Sequence, residues 1–179
     1  MVYIILGTGF EEAEAVIPCD LLRRAGIEVH FAGIGGLEIT GSRGITVKAD
    51  CTAEEADFAR AEMLVLPGGL GGVASIRGCQ LVMDAVKQAY ADGRYLAAIC
   101  AAPTILAELG ITDGKNATCY PGMGEQMGNA RLCDDGAVAD GKVVTGRAAG
   151  TAFDFALMLI SVLRGEAAAE AVAAGVVYH

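Results

Sequence analysis

The amino-acid sequence predicts a doubly wound α/β fold, in which a mostly parallel, flavodoxin-like sheet is sandwiched between helices. Short apolar runs alternate along the chain with segments of helical spacing. These runs are apolar throughout, which is typical of strands buried on both faces of a parallel sheet. Three of them end in a glycine or cysteine turn, and ligands bind at such turns in folds of this class. The length of 179 residues indicates one domain over residues 1–179.

The N-terminal part predicts a strand, a helix and a second strand. Val2–Leu6 is a continuous β-prone run that ends in glycine. Helical spacing follows as far as Gly26, and Pro18 must either start that helix or kink it. Residues 27–32 predict the second strand. Glycines then interrupt residues 33–50 repeatedly, which indicates a hairpin or an excursion at the sheet edge.

The middle of the chain predicts two more buried strands and a helix. Residues 54–58 are typical of a helical turn, and Met63–Leu66 is a buried strand. That strand runs into a glycine turn at residues 67–72. A helix over residues 80–90 ends at an Asp-Gly pair. Tyr95–Ile99 then predicts the fourth core strand.

The C-terminal part begins with a cysteine, Cys100, directly after the fourth strand. A helix follows it through Leu109 and ends at a glycine. Residues 117–120 and 143–145 are candidates for short strands. Thr151 is the expected cap of a long helix. A short alanine-rich helix from Glu166 completes the chain.

Composition and charge exclude several classes of function. The chain has 13 basic and 22 acidic residues, a formal charge of −9 and a pI near 4.6, without a Lys/Arg cluster. Binding of nucleic acid or of a membrane surface through charge is therefore not expected. No apolar run approaches the roughly 18 residues of a spanning helix. Because the N-terminus also lacks the features of a signal peptide, we expect a cytoplasmic protein.

The cysteine and histidine pattern argues against a metal site. No Cys-x-x-Cys pair occurs among the 6 cysteines, and there are only 2 histidines, His30 and His179. We expect no metal and no cofactor, and we interpret most thiols as reduced core residues. The cysteines are Cys19, Cys51, Cys79, Cys100, Cys119 and Cys133.

Cys100 is the strongest candidate nucleophile. A cysteine between a buried strand and a helix occupies a sharp turn, where the helix dipole and free N–H groups favour a thiolate. The alternative is a small buried core residue. Glu11, Glu12 and Glu14 follow the first strand and suit the start of a helix, either as solvated carboxylates or as functional groups. If the turn after the first strand meets the turn at Cys100, one of these carboxyls could have a raised pKa and donate a hydrogen bond to the thiolate.

Four segments carry a family resemblance. They read GFEEAEAVIP at 9–18, RRAG at 23–26, LPGG at 66–69 and AAICAAPT at 97–104. In this order and spacing they resemble the ThiJ/PfpI superfamily, most closely the branch of the Parkinsonism-associated deglycase and its bacterial relatives. The resemblance extends over residues 2–163, which is nearly the whole chain.

The resemblance implies a reactive, easily oxidised cysteine at Cys100 and a carboxyl that hydrogen-bonds it at Glu14. It implies that amides of Gly68, Gly69 and Ala101 line an oxyanion pocket. In such proteins the cysteine is proposed to attack an α-oxoaldehyde such as methylglyoxal, forming a hemithioacetal that rearranges to a hydroxy acid without a cofactor. Glu14 would be the general acid and base.

Arginines and a dimer are also implied by the resemblance. Arg24, Arg43 and Arg147 match arginines near the site or the dimer interface, with solvated cations as the alternative for each. A homodimer is expected on the same grounds, together with a small dicarbonyl or a glycated adduct as the partner molecule.

Two departures from the family pattern bear on chemistry. Tyr120 occupies the position where relatives commonly have a histidine, and it could donate a hydrogen bond to substrate or thiolate, although a phenol is a poor base at neutral pH. Residues 147–150 read RAAG where relatives often have Gly-Pro. Ala101 follows the cysteine where protease-like members have histidine, and no late His/Glu pair suits an amidotransferase. Amide hydrolysis is therefore disfavoured.

Two functions of different kinds use the same sulfur. The first is a cofactor-independent glyoxalase or deglycase that acts on reactive dicarbonyls or their early adducts. The second is a non-enzymatic sensor of oxidative stress, with chaperone or partner effects, whose Cys100 is oxidised to a sulfinic acid that Glu14 stabilises. They differ in whether turnover occurs.

Overall fold

A seven-stranded sheet with helices on both faces forms the centre of the protein. The computed structural model describes residues 1–179. The strands are β1 Val2–Leu6, β2 Val29–Gly33, β3 Glu38–Thr40, β4 Thr46–Lys48, β5 Cys51–Thr52, β6 Met63–Leu66, β7 Tyr95–Ile99, β8 Asn116–Ala117, β9 Arg131–Leu132, β10 Ala137–Asp140 and β11 Val143–Gly146. The helices are α1 Glu12–Arg24, α2 Leu70–Gly78, α3 Gln80–Ala91, α4 Pro103–Glu108, α5 Ala152–Arg164 and α6 Glu166–Gly175.

The strand order confirms the predicted fold class. The large sheet runs β10-β11-β7-β6-β1-β2-β5, and every pair is parallel except β10 with β11. Strands β3 and β4 form the predicted antiparallel hairpin outside it. The chain proceeds from β1 to β2 on one side and then returns to β6 on the other. The order therefore reverses between β1 and β6, which is where doubly wound folds bind ligands.

Two apolar clusters pack on opposite faces of this sheet. Alternate residues of β1 point to opposite faces, so Ile4 belongs to one cluster and Ile5 to the other. The first cluster packs against α1, α5 and α6, and the second packs against α2, α3 and α4. All five residues of β1 are buried, as the continuous apolar run predicts.

Helix α2 is the main element that the sequence did not predict. Residues 67–72 were expected to form a turn, but the helix begins at Leu70. The glycines of α2 allow the helix to pack closely against the turn after β1. A Cβ on Gly72 would lie 2.7 Å from Phe10 Cα, and a Cβ on Gly71 would lie 3.0 Å from Gly9 Cα. Glycine therefore lets α2 press against the turn after β1, although it lowers helix propensity.

Smaller differences concern element boundaries. The second strand begins at Val29, and the strand expected at residues 117–120 is limited to Asn116–Ala117, so Tyr120 lies outside it. Pro18 lies inside α1 and does not start it. Thr151 precedes α5, but its hydroxyl donates to Ala148 O at 3.0 Å and caps no helical amide. None of the helices has the length and apolar character needed to cross a membrane.

Candidate active site

Cys100 lies in a strained turn between β7 and α4. Its φ is +67°, in a region that non-glycine residues rarely adopt. Two backbone hydrogen bonds hold the turn: the Cys100 N–H donates to Gly146 O at 2.9 Å, and the Tyr120 N–H donates to Cys100 O at 2.8 Å. The side chain is partly exposed. The predicted strand, cysteine and helix thus form a nucleophile elbow.

Glu14 lies beneath this turn, in the first turn of α1, with no exposed surface. Its Oε2 accepts a hydrogen bond of 2.9 Å from the Gly68 N–H, and Oε1 has no hydrogen-bond partner. A Cβ on Gly68 would lie 2.5 Å from Glu14 Oε2 and 2.7 Å from Cys100 Cβ. Only glycine fits between the two side chains, which are therefore direct neighbours.

The carboxyl and the thiol both have raised pKa values. Burial raises the pKa of Glu14 to about 7, against opposing contacts with the Cys100 thiol and the Gly68 amide. Burial, followed by the charge of Glu14, raises the pKa of Cys100 to about 12. Burial and the neighbouring carboxylate thus oppose the ionised thiol that the position before a helix predicts. Desolvation outweighs the short helix α4, and a second negative charge next to the first is unfavourable.

The pair therefore carries one negative charge from about pH 7 upwards. Whichever of the two groups keeps the remaining proton, a proton can pass between sulfur and carboxylate without creating net charge in the buried site. A carboxyl with a pKa near neutrality is well suited to this exchange.

Two of the three expected amides face the sulfur. The N–H groups of Gly69 and Ala101 lie close enough to it to lower its pKa, in opposition to burial. Neither N–H donates to a backbone carbonyl. Gly68 does not fulfil the expected role, because its N–H is already bonded to Glu14. It orients the carboxyl, which leaves the N–H groups of Gly69 and Ala101 as the candidate oxyanion donors.

A cleft of about 640 Å³ opens above the sulfur. Its apolar side includes Leu70 and Met123, and its polar side includes Glu11 and Arg43. Tyr120 lies at the rim, 49% exposed, and is the aromatic lining residue. No histidine lines this cleft.

The three expected arginines occupy different places. Arg43 lines the cleft. Arg24 pairs with Asp20 at 2.9 Å and lines a separate groove beside α6. Arg147 donates to Asp134 Oδ1 at 2.8 Å and does not line the cleft. Of the three, only Arg43 is therefore in reach of a molecule bound above Cys100, and the expected homodimer stays a prediction.

Glu12 has a role that the sequence did not reveal. It is only 7% exposed, and its Oε1 accepts hydrogen bonds from the Arg43 N–H at 2.8 Å and the Ile45 N–H at 3.3 Å. Burial alone would raise its pKa, but its own backbone N–H, these two bonds and one from Ser42 lower it. Glu12 thus anchors the loop that brings Arg43 to the cleft. Its hydrogen-bond partners lie some thirty residues away in sequence, where no local pattern points to them.

Together the fold and the site define an α/β protein with a cysteine nucleophile elbow and a carboxyl partner beneath it. The chain belongs to the DJ-1/PfpI family, whose sequence model matches residues 1–162. The resemblance seen in the four motifs is confirmed.

Several similar proteins match this chain over most of their own length. Protein dj-1beta of Drosophila melanogaster is 40% identical over 175 residues, which cover 96% of this chain and 94% of that protein. The glutathione-independent glyoxalase DJR-1.2 of Caenorhabditis elegans is 29% identical over 157 residues, which cover 87% of this chain and 83% of that protein. The crystal structure of Drosophila melanogaster DJ-1beta superposes with a TM-score of 0.94 at 39% identity, covering 99% of this chain and 97% of the other.

Proposed function

We propose that this protein is a cofactor-independent glyoxalase or deglycase that converts α-oxoaldehydes such as methylglyoxal to 2-hydroxy acids. One observation carries the proposal: a buried carboxyl with a pKa of about 7 lies beside the thiol of a strained elbow, under an open cleft. A glutathione-independent glyoxalase among the similar proteins supports the same reaction.

The first step forms a bond between Cys100 Sγ and the aldehyde carbon. Glu14, as carboxylate, takes the thiol proton as the sulfur attacks, so the high pKa of the thiol does not prevent the reaction. The π electrons of the carbonyl move to oxygen, where the Gly69 and Ala101 amides stabilise the negative charge. Glu14 then returns its proton to this oxygen, which gives a hemithioacetal and a free carboxylate.

The second step moves a proton between neighbouring carbons. Glu14 removes the hydrogen of the former aldehyde carbon, and the electron pair of that C–H bond moves through the adjacent carbonyl to give an enediolate. Glu14 returns a proton to the former ketone carbon, and the hydroxyl proton passes from the first oxygen to the second, which gives a thioester of the 2-hydroxy acid. Water hydrolyses the thioester and releases the acid and the thiol. One methylglyoxal and one water thus give one lactic acid, and no oxidant or reductant is needed.

The size of the cleft allows larger substrates than methylglyoxal. A cleft of about 640 Å³ is in the range that holds drug-sized molecules. An early adduct of an α-oxoaldehyde with an amino group would enter the same pathway, because attack by sulfur with loss of the amine gives the same hemithioacetal. Tyr120 and Arg43 would contact the part of the adduct beyond the reacting carbons.

The purified protein is expected to convert methylglyoxal to lactate in equal amounts without glutathione. Lactate release and methylglyoxal loss are measured together, with the Cys133→Ser variant as a control, because Cys133 is a free thiol that does not line the cleft. Turnover that requires added glutathione, or no lactate at all, would contradict the proposal.

A redox sensor is the second candidate, and it is favoured by the position of Cys100 relative to other thiols. Burial raises the pKa of all three thiols of Cys19, Cys119 and Cys100. Cys100 differs in that it opens to the cleft and has Glu14 beside it to accept its proton, whereas Cys19 and Cys119 are buried. Two molecules of hydrogen peroxide would convert the thiol to a sulfinic acid and release two waters. A protonated Glu14 would then donate a hydrogen bond to the sulfinate.

Limiting peroxide is expected to add two oxygens to Cys100 before it modifies Cys51 or Cys133. Peptide mass spectrometry over a peroxide titration follows each cysteine separately, and Glu14→Gln should slow oxidation of Cys100 alone. If Cys51 or Cys133 is oxidised first, the sensor hypothesis loses its basis in this site.

A further inference from the structure

Arg77 connects the two helices that begin at the active site. Helix α2 starts after Gly69, and α4 starts shortly after Ala101, so each of the two amides that face the sulfur lies just before the start of one helix. Arg77, near the end of α2, donates through Nε to Glu108 Oε2 at 2.7 Å and through Nη2 to Thr104 Oγ1 at 2.9 Å. Both acceptors belong to α4, one turn apart, and therefore face the same side of that helix.

The contact continues to the nucleophile elbow. Thr104 is 1% exposed, and its hydroxyl donates to Ala101 O at 2.6 Å. Ala101 directly follows Cys100, whose own carbonyl is held by the Tyr120 N–H at 2.8 Å. The Cys100–Ala101 peptide, which supplies the Ala101 N–H, is thus held by Tyr120, and the peptide that follows it is held by Thr104. Arg77 in turn contacts Thr104 from α2.

We propose that Arg77 is a positioning residue that braces α2 against α4 and so maintains the spacing of the Gly69 and Ala101 amides around Cys100. This role of Arg77 adds a positioning residue to the proposed function, and its kinetic test rests on that function. Arg77 and Glu108 are 36% and 56% exposed, and an ion pair this exposed contributes little to stability. The Arg77 contacts, however, link the two segments that supply the N–H groups of the oxyanion pocket. Small displacements of such groups reduce reaction rates strongly.

The test compares Arg77→Ala with wild type in methylglyoxal turnover and in Cys100 reactivity. We expect kcat to fall about tenfold with KM within about twofold, because the amides act on the transition state more than on bound substrate. The rate of Cys100 alkylation by iodoacetamide at pH 8 should fall about threefold, because displaced amides stabilise the thiolate less. Alkylation needs no turnover, so it tests the brace even if the proposed function fails.

Two further comparisons separate positioning from general stability. Thr104→Val removes the hydroxyl and should reproduce both effects, whereas Thr104→Ser retains it and should restore wild-type values. Arg164→Ala breaks a matched Arg–Glu pair with Glu62 at 3.2 Å, outside the cleft, and should change neither readout. The proposal is overturned if Arg77→Ala or Thr104→Val behaves like Arg164→Ala in both assays. It is equally overturned if Thr104→Ser is as impaired as Thr104→Val.

Discussion

Replacement of Cys100 by serine is expected to lower kcat/KM for methylglyoxal by at least about 10³-fold. An alcohol holds its proton far more tightly than a thiol does, and the Glu14 carboxyl, with a pKa of about 7, is too weak a base to remove it. The serine oxygen would occupy the same strained turn at φ +67°. The loss of rate therefore reports on chemistry, and the fold should be unaffected.

Circular dichroism and thermal unfolding provide the structural check for this variant. Cys51→Ser is a matched control, because Cys51 is a partly exposed thiol on the edge strand β5, outside the cleft. It should retain the wild-type rate. If Cys100→Ser turns over methylglyoxal as fast as Cys51→Ser, the sulfur is not the nucleophile and the enzymatic proposal is untenable.

The part of the fold that positions Cys100 was predictable because it depends on short-range patterns. The runs that form β1 and β7 are apolar throughout, and a parallel sheet brings their carboxyl ends to one edge. This logic, together with the family motifs, was sufficient to place Glu14 and Cys100 in the same site. It required no knowledge of side-chain packing.

The rest of the site depends on contacts between distant segments. Glycines in α2 have the local signature of a turn, and only the approach of Phe10 shows why they are needed. The Gly68 amide is bonded to Glu14 from 54 positions away, so its role could not follow from its motif. The high thiol pKa is also a long-range effect, because burial depends on every element packed around Cys100.

Glu14→Gln is expected to reduce kcat/KM by about 10²–10⁴-fold, the range typical of a lost general base. Glutamine preserves the size of the side chain and can still accept the Gly68 hydrogen bond, but it cannot take the thiol proton. In the wild type, kcat/KM should rise with pH through about 7, as Glu14 loses its proton. The variant should lack this rise. A wild-type profile in Glu14→Gln would assign the titration to another group.

The same substitution is expected to stabilise the protein at neutral and alkaline pH. Burial raises the Glu14 pKa from its ordinary value of 4.5 to about 7, so the folded protein holds this proton more tightly than the unfolded chain. Ionisation of Glu14 in the folded protein therefore lowers the free energy of unfolding. This loss is absent below pH 4.5, grows as the pH rises and is complete above about 7, where it reaches at most about 3 kcal/mol. Glutamine carries no charge and avoids it.

Denaturant unfolding at pH 5 and pH 8 measures this difference. The free energy of unfolding of Glu14→Gln should exceed that of wild type at pH 8 and approach it at pH 5. Glu12→Gln is the matched control of opposite sign, because hydrogen bonds lower the Glu12 pKa and its carboxylate stabilises the fold above its ordinary pKa. It should lose stability at pH 8. If Glu14→Gln is also less stable than wild type at pH 8, burial does not destabilise the Glu14 carboxylate. The raised pKa on which the general-base role depends would then be contradicted.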